Sequence, residues 1–233
     1  MANSSNYLLQ DSEAALVSVN ANRAALTAKG FSDAAYNDLV EARNGLKSTE
    51  LAQQKAVKLV EGKTAEQNGG MTGITELIRK VRNAARSAYE NNPQKLSQFK
   101  IGEKIPDTVK KLRTTCEFIA SVVDEKKADL LQSGLVQDDV DELNTASDRL
   151  AATDAAQETA KKMQVSATLN RDAAEKLLKN KLTKMRNFVK AAFASKPELL
   201  VQFTPIPKGR GGKGKPGNDE STPPPDTPTP PEQ

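Results

Sequence analysis

Between positions 39 and 56, Leu39, Ala42, Leu46, Thr49, Gln53 and Ala56 recur at alternating steps of three and four. That spacing places all six side chains on one face of a helix. The stripe returns 104 residues later as Leu143, Ala146, Leu150, Thr153, Gln157 and Ala160. A second apolar stripe follows in each case, at positions 74, 78, 81, 85 and 88 and again at 178, 182, 185, 189 and 192. Small Ala and Thr on the first stripe permit close approach of a partner helix.

The correspondence extends beyond the stripes. Pairing residue i with residue i+104 from Leu8/Leu112 to Phe99/Phe203 needs no gap, and 23 of the 92 pairs, 25%, are identical. Unrelated chains of this composition would agree at roughly 6–8% of positions. The pattern reads as a tandem duplication with a period of 104 residues. The units are 1–104 and 105–208, followed by a tail at 209–233.

Each unit is predicted to hold three to four helices. A first helix covers about 11–29 and closes at Gly30, with Gly134 as its counterpart; glycine is favoured there because a left-handed cap strains other residues. A second starts near Ser32 or Gln137 and runs about thirty residues. A third covers 72–90 and 171–194. Pro93 and Pro197 then end it, because the residue before a proline is driven out of the helical region. The same prolines suit the first position of a short fourth helix, capped by Asn92 or Ser195, that presents Leu96/Leu200 and Phe99/Phe203 on one side. The joint at 100–107, KIGEKIPD, is too short for a free linker. The predicted fold is all-α: a tandem duplication of this unit packed as a pseudo-twofold helical bundle, with a disordered Pro-rich C-terminal tail.

Composition agrees. Aromatic residues make up 4% of the chain, and there is no Trp and no His. Ala, Leu, Lys, Glu and Gln prevail, the residues that lose least entropy in a helix. No apolar run approaches the ~20 residues that span a bilayer. The N-terminus lacks the basic start and apolar stretch of a signal peptide. A cytoplasmic location is the expectation, export by a route without a cleaved signal being the alternative. The single cysteine, Cys116, cannot form an intrachain disulfide, and is expected to be a buried or passive thiol.

Charge is uneven. The net charge is +4, yet 173–215 holds eleven Lys or Arg against two Glu. Basic side chains so gathered are expected either to form a solvated helix face or to neutralise phosphates of a nucleic acid or lipid surface. The tail begins GRGGKGKP at 209–216, which matches the opening of a phosphate-binding loop but places Pro216 where the magnesium-binding hydroxyl belongs. It reads as a cationic linker. The remainder, NDESTPPPDTPTPPEQ, is biased to polyproline conformations and contains a P-x-x-P match at 225–228.

Chemistry is hard to assemble from these residues. Without His, the commonest general base and zinc ligand is missing. Asp138, Asp139, Asp141 and Glu142 cluster at a helix start, where anions complement the helix dipole, and their counterparts Ala34, Ala35, Asn37 and Asp38 do not repeat the set. No catalytic residue, cofactor or metal site is assigned. Arg82 and Arg186 are expected to pair with Glu13 and Glu117, to bind loop carbonyls, or to meet an anionic partner. Candidate anion or partner contacts are Arg82, Asn83, Lys184, Arg186, Asn187 and Lys190, with Lys208, Arg210, Lys213 and Lys215 in the tail. The functional expectation is a non-enzymatic scaffold or assembly protein whose partner is another protein or a second copy of itself. The alternative is a nucleic-acid-associated protein that uses the basic third helix of the second unit and the Gly/Lys linker. A pocket between the units is a third expectation.

Overall fold

Gly30 takes φ 95° and Gly134 φ 98°, the left-handed conformation their positions predict. Around the first, Phe31 N–H donates to the Leu26 carbonyl and Gly30 N–H to the Thr27 carbonyl, the paired bonds of a helix-ending Schellman turn. The computed structural model describes residues 4–206. Their regular elements are all helices: α1 (Ser4–Ala21), α2 (Arg23–Thr27), α3 (Asp33–Ala88), α4 (Pro93–Gln98), α5 (Val109–Glu125), α6 (Lys127–Gln132), α7 (Gln137–Ala192) and α8 (Pro197–Val201). There is no strand among the described residues, so the chain is all-α. The expected disordered tail at 209–233 lies outside the described residues.

The order of elements repeats with the sequence. α3 and α7 are each 56 residues long and begin 104 positions apart, as do α4 and α8. Ser32 caps α3 by accepting from Ala35 N–H at 3.2 Å, and Asn92 caps α4 by accepting from Lys95 N–H at 3.1 Å. Pro93 and Pro197 open α4 and α8 as expected, but Lys196 rather than Ser195 precedes the second, with no side-chain cap.

The division into helices differs from the expectation in two respects. The first helix, expected over about 11–29, begins at Ser4 and is broken at Asn22 into α1 and α2, as its counterpart is broken at Lys126 into α5 and α6. The second and third predicted helices of each half are continuous, at roughly 84 Å for 56 residues. Gly62, Gly69, Gly70 and Gly73 lie inside α3, each costing about 1 kcal/mol relative to Ala. Glycine weakens a helix without breaking it, and packing against α7 holds the segment together.

α3 and α7 run antiparallel. Lys80 Nζ meets Asp139 Oδ1 at 2.6 Å, Gln67 Nε2 donates to Asp154 Oδ1 at 2.6 Å, and Lys181 pairs with Asp38, so numbers rise along one helix as they fall along the other. The 3–4 stripe runs the length of both helices. In α3 it continues through Val60, Lys63, Gln67, Gly70, Ile74, Leu77, Val81 and Ala84; in α7 it continues through Gln164, Ala167, Arg171, Ala174 and Leu178. A seven-residue period of this kind is the seam of a coiled coil.

Two cores form, one at each end of this pair. The first contains Ile74, Ile78, Val81 and Ala85 of α3, Phe99 just after α4, Leu112, Ile119 and Val123 of α5, and Val140, Leu143 and Leu150 of α7. The second contains Leu8, Leu16 and Val19 of α1, Leu26 of α2, Phe31 just before α3, Leu39 and Leu46 of α3, Leu178, Leu182 and Val189 of α7, and Phe203. Each core therefore draws on both sequence halves. Between them lies a waist where α3 and α7 pack chiefly on each other, α1 and α5 reaching only its margins, at Glu175 through Ser5 and beside Asp154. From 47–73 and 151–177 the buried side chains are Ala56, Gln67, Gln157 and Ala160, over ~40 Å of helix.

Candidate functional site

The waist carries a seam too polar and too small to bury much area. Gln67 is tied to Asp154, and Gln157 Nε2 donates to Thr64 Oγ1 at 3.1 Å. Outside this seam lie Leu51, Leu59, Met163, Val165, Leu169 and Leu177, each 39–64% exposed. Leu59 and Met163 are matched 104 residues apart and hold the same place in the seven-residue period. In an antiparallel pair that places both on one face at the midpoint of the molecule, with Ala52 and Ala156 flanking them one period away. The waist is electrically balanced, with eight cations against seven anions in 47–73 and 151–177. Several of these neutralise each other within one helix: Lys58–Glu61 and Lys63–Glu66 at 2.7 Å, and Lys161–Glu158 at 2.7 Å.

At the ends, the two repeated arginines serve the fold. Arg186 Nε donates to the Phe203 carbonyl at 2.9 Å, and its Nη2 to Asp11 Oδ1 at 2.7 Å. Asp11 also accepts from Ile206 N–H at 3.0 Å. Arg82 repeats the first bond, Nε to the Phe99 carbonyl at 3.2 Å, and sends Nη1 to the Glu103 carbonyl at 2.9 Å. Its Nη2 is buried with no hydrogen-bond partner among the described residues, and desolvation lowers the guanidinium's pKa. Of the roles expected for these arginines, both bind loop carbonyls. The glutamates have other partners: Glu13 pairs with Arg43, and Glu117 with Arg113 at 3.3 Å and with the Ser147 hydroxyl at 2.6 Å. Position 147 corresponds to 43, so the contact repeats with a serine in place of an arginine. Hydrogen bonds from Ser147 and Arg113 hold the Glu117 carboxyl below the usual range.

Asn83, Lys184, Asn187 and Lys190 are exposed. Asn83 accepts from Arg86 at 2.8 Å. Lys184, Asn187 and Lys190 follow one another at steps of three on the outer surface of α7, and neither lysine has an ion-pair partner among the described residues. Lys208, Arg210, Lys213 and Lys215 lie outside the described residues.

Other chemistry is sparse. The acidic cluster at the start of α7 is dispersed, with Asp139 on Lys80, Asp141 on Gln137 and Glu142 on Arg149. Among the described residues no group of three or more acids or thiols is arranged to hold a metal ion. Cys116 is fully buried, its thiol 3.7 Å from the Leu143 carbonyl, and burial pushes its pKa up to about 11. A cleft of about 390 Å³ lies between α3 and α7 where Gly69, Gly70 and Gly73 face Ala146 and Leu150. Its charged lining, Glu142 against Arg149, is paired. Among the described residues no helix is long and apolar enough to cross a membrane.

Known protein families, curated proteins and solved structures offer no match to this chain. The waist and the buried Arg82 are the two features that the sequence comparison of the halves did not reveal. The first required knowing that α3 and α7 are continuous. The second required knowing which residue stands opposite the guanidinium.

Proposed function

We infer that this is a non-enzymatic assembly protein, arisen by tandem duplication, that associates with a second copy of itself through the waist. The observation that carries the reading is the exposed Leu59–Met163 patch at the centre of a two-helix segment with no third helix over it. Two helices bury little of their surface against each other, whereas two such pairs laid together make a four-helix bundle. A patch built from matched positions on both halves suits an isologous contact, in which the same surface is used by both partners. The near-neutral charge of the waist favours a second copy over a nucleic acid or an anionic membrane.

Sedimentation velocity tests this. The wild-type chain is expected to run as a dimer at micromolar concentration, and Leu59→Glu with Met163→Glu as a folded monomer. A wild-type monomer at ~100 µM would contradict the reading, since such a concentration populates even weak dimers. The exposed Lys184, Asn187 and Lys190 support a second reading, contact with a phosphate backbone. It predicts binding to mixed-sequence DNA or RNA that weakens steeply with salt.

A further inference from the structure

We propose that the cleft between the 100–107 turn and α5 binds a small phosphate-type oxyanion, in the place that the Asp11 carboxylate fills at the other end of the molecule. The inference stands apart from self-association and rests on comparing the two ends atom by atom.

Arg186 and Arg82 are matched residues that make the same first bond, to the carbonyls of the matched Phe203 and Phe99. Arg186 completes its set with a carboxylate. Position 115, which corresponds to Asp11, is a threonine, 6% exposed, whose hydroxyl has no hydrogen-bond partner among the described residues. Both bonds that Arg82 does make are to neutral carbonyls, and although the residue is 7% exposed it has no carboxylate at ion-pair distance, Glu103 acting on it only through longer-range attraction. A buried cation with an idle donor is costly, and one end of this protein shows what removes the cost.

The surroundings differ in the same sense. The cleft, about 460 Å³, has five cations in its lining, Arg82, Lys100, Lys104, Lys110 and Lys111, against one carboxylate, Glu103, with Thr115 beside them. Lys110 and Lys111 stand where the other end has Asn6 and Tyr7. Relative to that end, the Asp11 carboxylate is gone and the ammonium groups of Lys100, Lys110 and Lys111 are added, against one added carboxylate, Glu103 in place of Pro207. Lys104 is neutralised by Asp107 at 2.9 Å, and Lys100 lies 4.9 Å over the Phe118 ring. Lys110 and Lys111 have no ion pair among the described residues. The exposed Glu103 carboxylate lies beyond ion-pair distance of Arg82, although its charge still favours the charged guanidinium.

The turn is also fixed in advance. Lys100 holds φ 51°, uncommon for a residue other than glycine, and Arg82 clasps the carbonyls on either side of it. Nη2 itself is covered, so binding requires the cleft lining to shift, and Glu103 and Lys104, both exposed, are the side chains of that lining freest to move. One guanidinium and two free ammonium groups favour a dianionic phosphate over a monocarboxylate, because charge-assisted hydrogen bonds gain with the charge of the acceptor. Free phosphate and a small phosphomonoester present the same group.

Calorimetric titration of the full chain at low ionic strength, with inorganic phosphate, methyl phosphate and acetate as probes, tests the site. One saturable phosphate site is expected, with acetate at least about tenfold weaker. Methyl phosphate matching inorganic phosphate identifies the phosphoryl group as what is held; a marked preference for either identifies the source. Thr115→Asp supplies the missing carboxylate and is expected to abolish binding while keeping or raising the melting temperature. Lys110→Ala with Lys111→Ala is expected to weaken binding about tenfold, and removal of two exposed lysines remote from the cleft, Lys29→Ala with Lys196→Ala, to leave it unchanged. Absence of saturable phosphate binding at ~10 mM, a concentration that fills even millimolar sites, would overturn the proposal. So would full binding by Thr115→Asp, or an equal loss on removing Lys29 and Lys196.

Discussion

Asp11 and Arg186 lie 175 residues apart in the chain and meet at 2.7 Å, with Asp11 Oδ1 also taking the Ile206 amide. Their side chains are 4% and 16% exposed. Asp11 thereby joins the middle of α1 to α7 through Arg186 and to the chain that leaves α8 through Ile206. Removing one partner of a buried pair strands the other charge, so Asp11→Ala is expected to cost about 3 kcal/mol. Urea denaturation monitored by circular dichroism checks this; a loss well below 1 kcal/mol would mean that the pair is solvated in practice.

Tyr89 gives the fold an alkaline limit. Burial, with a hydrogen bond from its hydroxyl to Asp129 Oδ2 at 2.8 Å, pushes its pKa up to about 12. The unfolded chain releases this proton near pH 10. The neutral phenol therefore contributes its stability fully below about pH 10, and that contribution is lost as pH rises from about 10 to about 12. Absorbance near 295 nm should show a late tyrosine component that is absent in Tyr89→Phe. The variant should also flatten the fall in denaturation midpoint over that range.

Cys116 should resist chemistry. Its thiolate is disfavoured by burial, and the thiol is closed in by α5 and α7. An aromatic disulfide reagent at pH 8 is expected to react only as the protein unfolds, so urea should switch the reaction on at the same midpoint as the loss of helix. Fast reaction in native buffer would mean that the first core opens locally.

The sharing of cores between halves predicts where damage spreads. Phe99 is fully buried in the first core, and Phe99→Ala is expected to cost about 3–5 kcal/mol. Amide exchange should rise first at 143–150, which belongs to the other sequence half, before it rises at 39–46. The reverse order would place the cooperative boundary at the 104-residue joint.

Much of this was legible in the sequence because the signals were local. Gly30 and Gly134, Ser32, Asn92 and the two prolines each act through their own backbone, and each appears where expected. The first stripe, 39–56, needed only the helical period. The continuity of α3 was hidden because Gly62, Gly69, Gly70 and Gly73 argue locally for an interruption, which pairing with α7 overrides. The exchange of partners between halves was hidden too, since a periodic stripe states that it is buried but not against what. The pairing of Arg186 with Asp11, without an equivalent for Arg82, escaped for a different reason. Comparing the halves by identity draws the eye to positions that agree, and the informative one, Asp11 against Thr115, is a position that differs.

The account rests on the waist being the thin part of the molecule and the surface at which copies meet. Hydrogen exchange read by mass spectrometry at two protein concentrations tests both at once. At high dilution, amides in 50–70 and 154–174 should exchange much faster than those in 76–85 and 143–150, because small and polar seams hold helices weakly. Raising the concentration should protect the waist selectively. Uniform protection along α3 and α7, unchanged by concentration, would contradict the account.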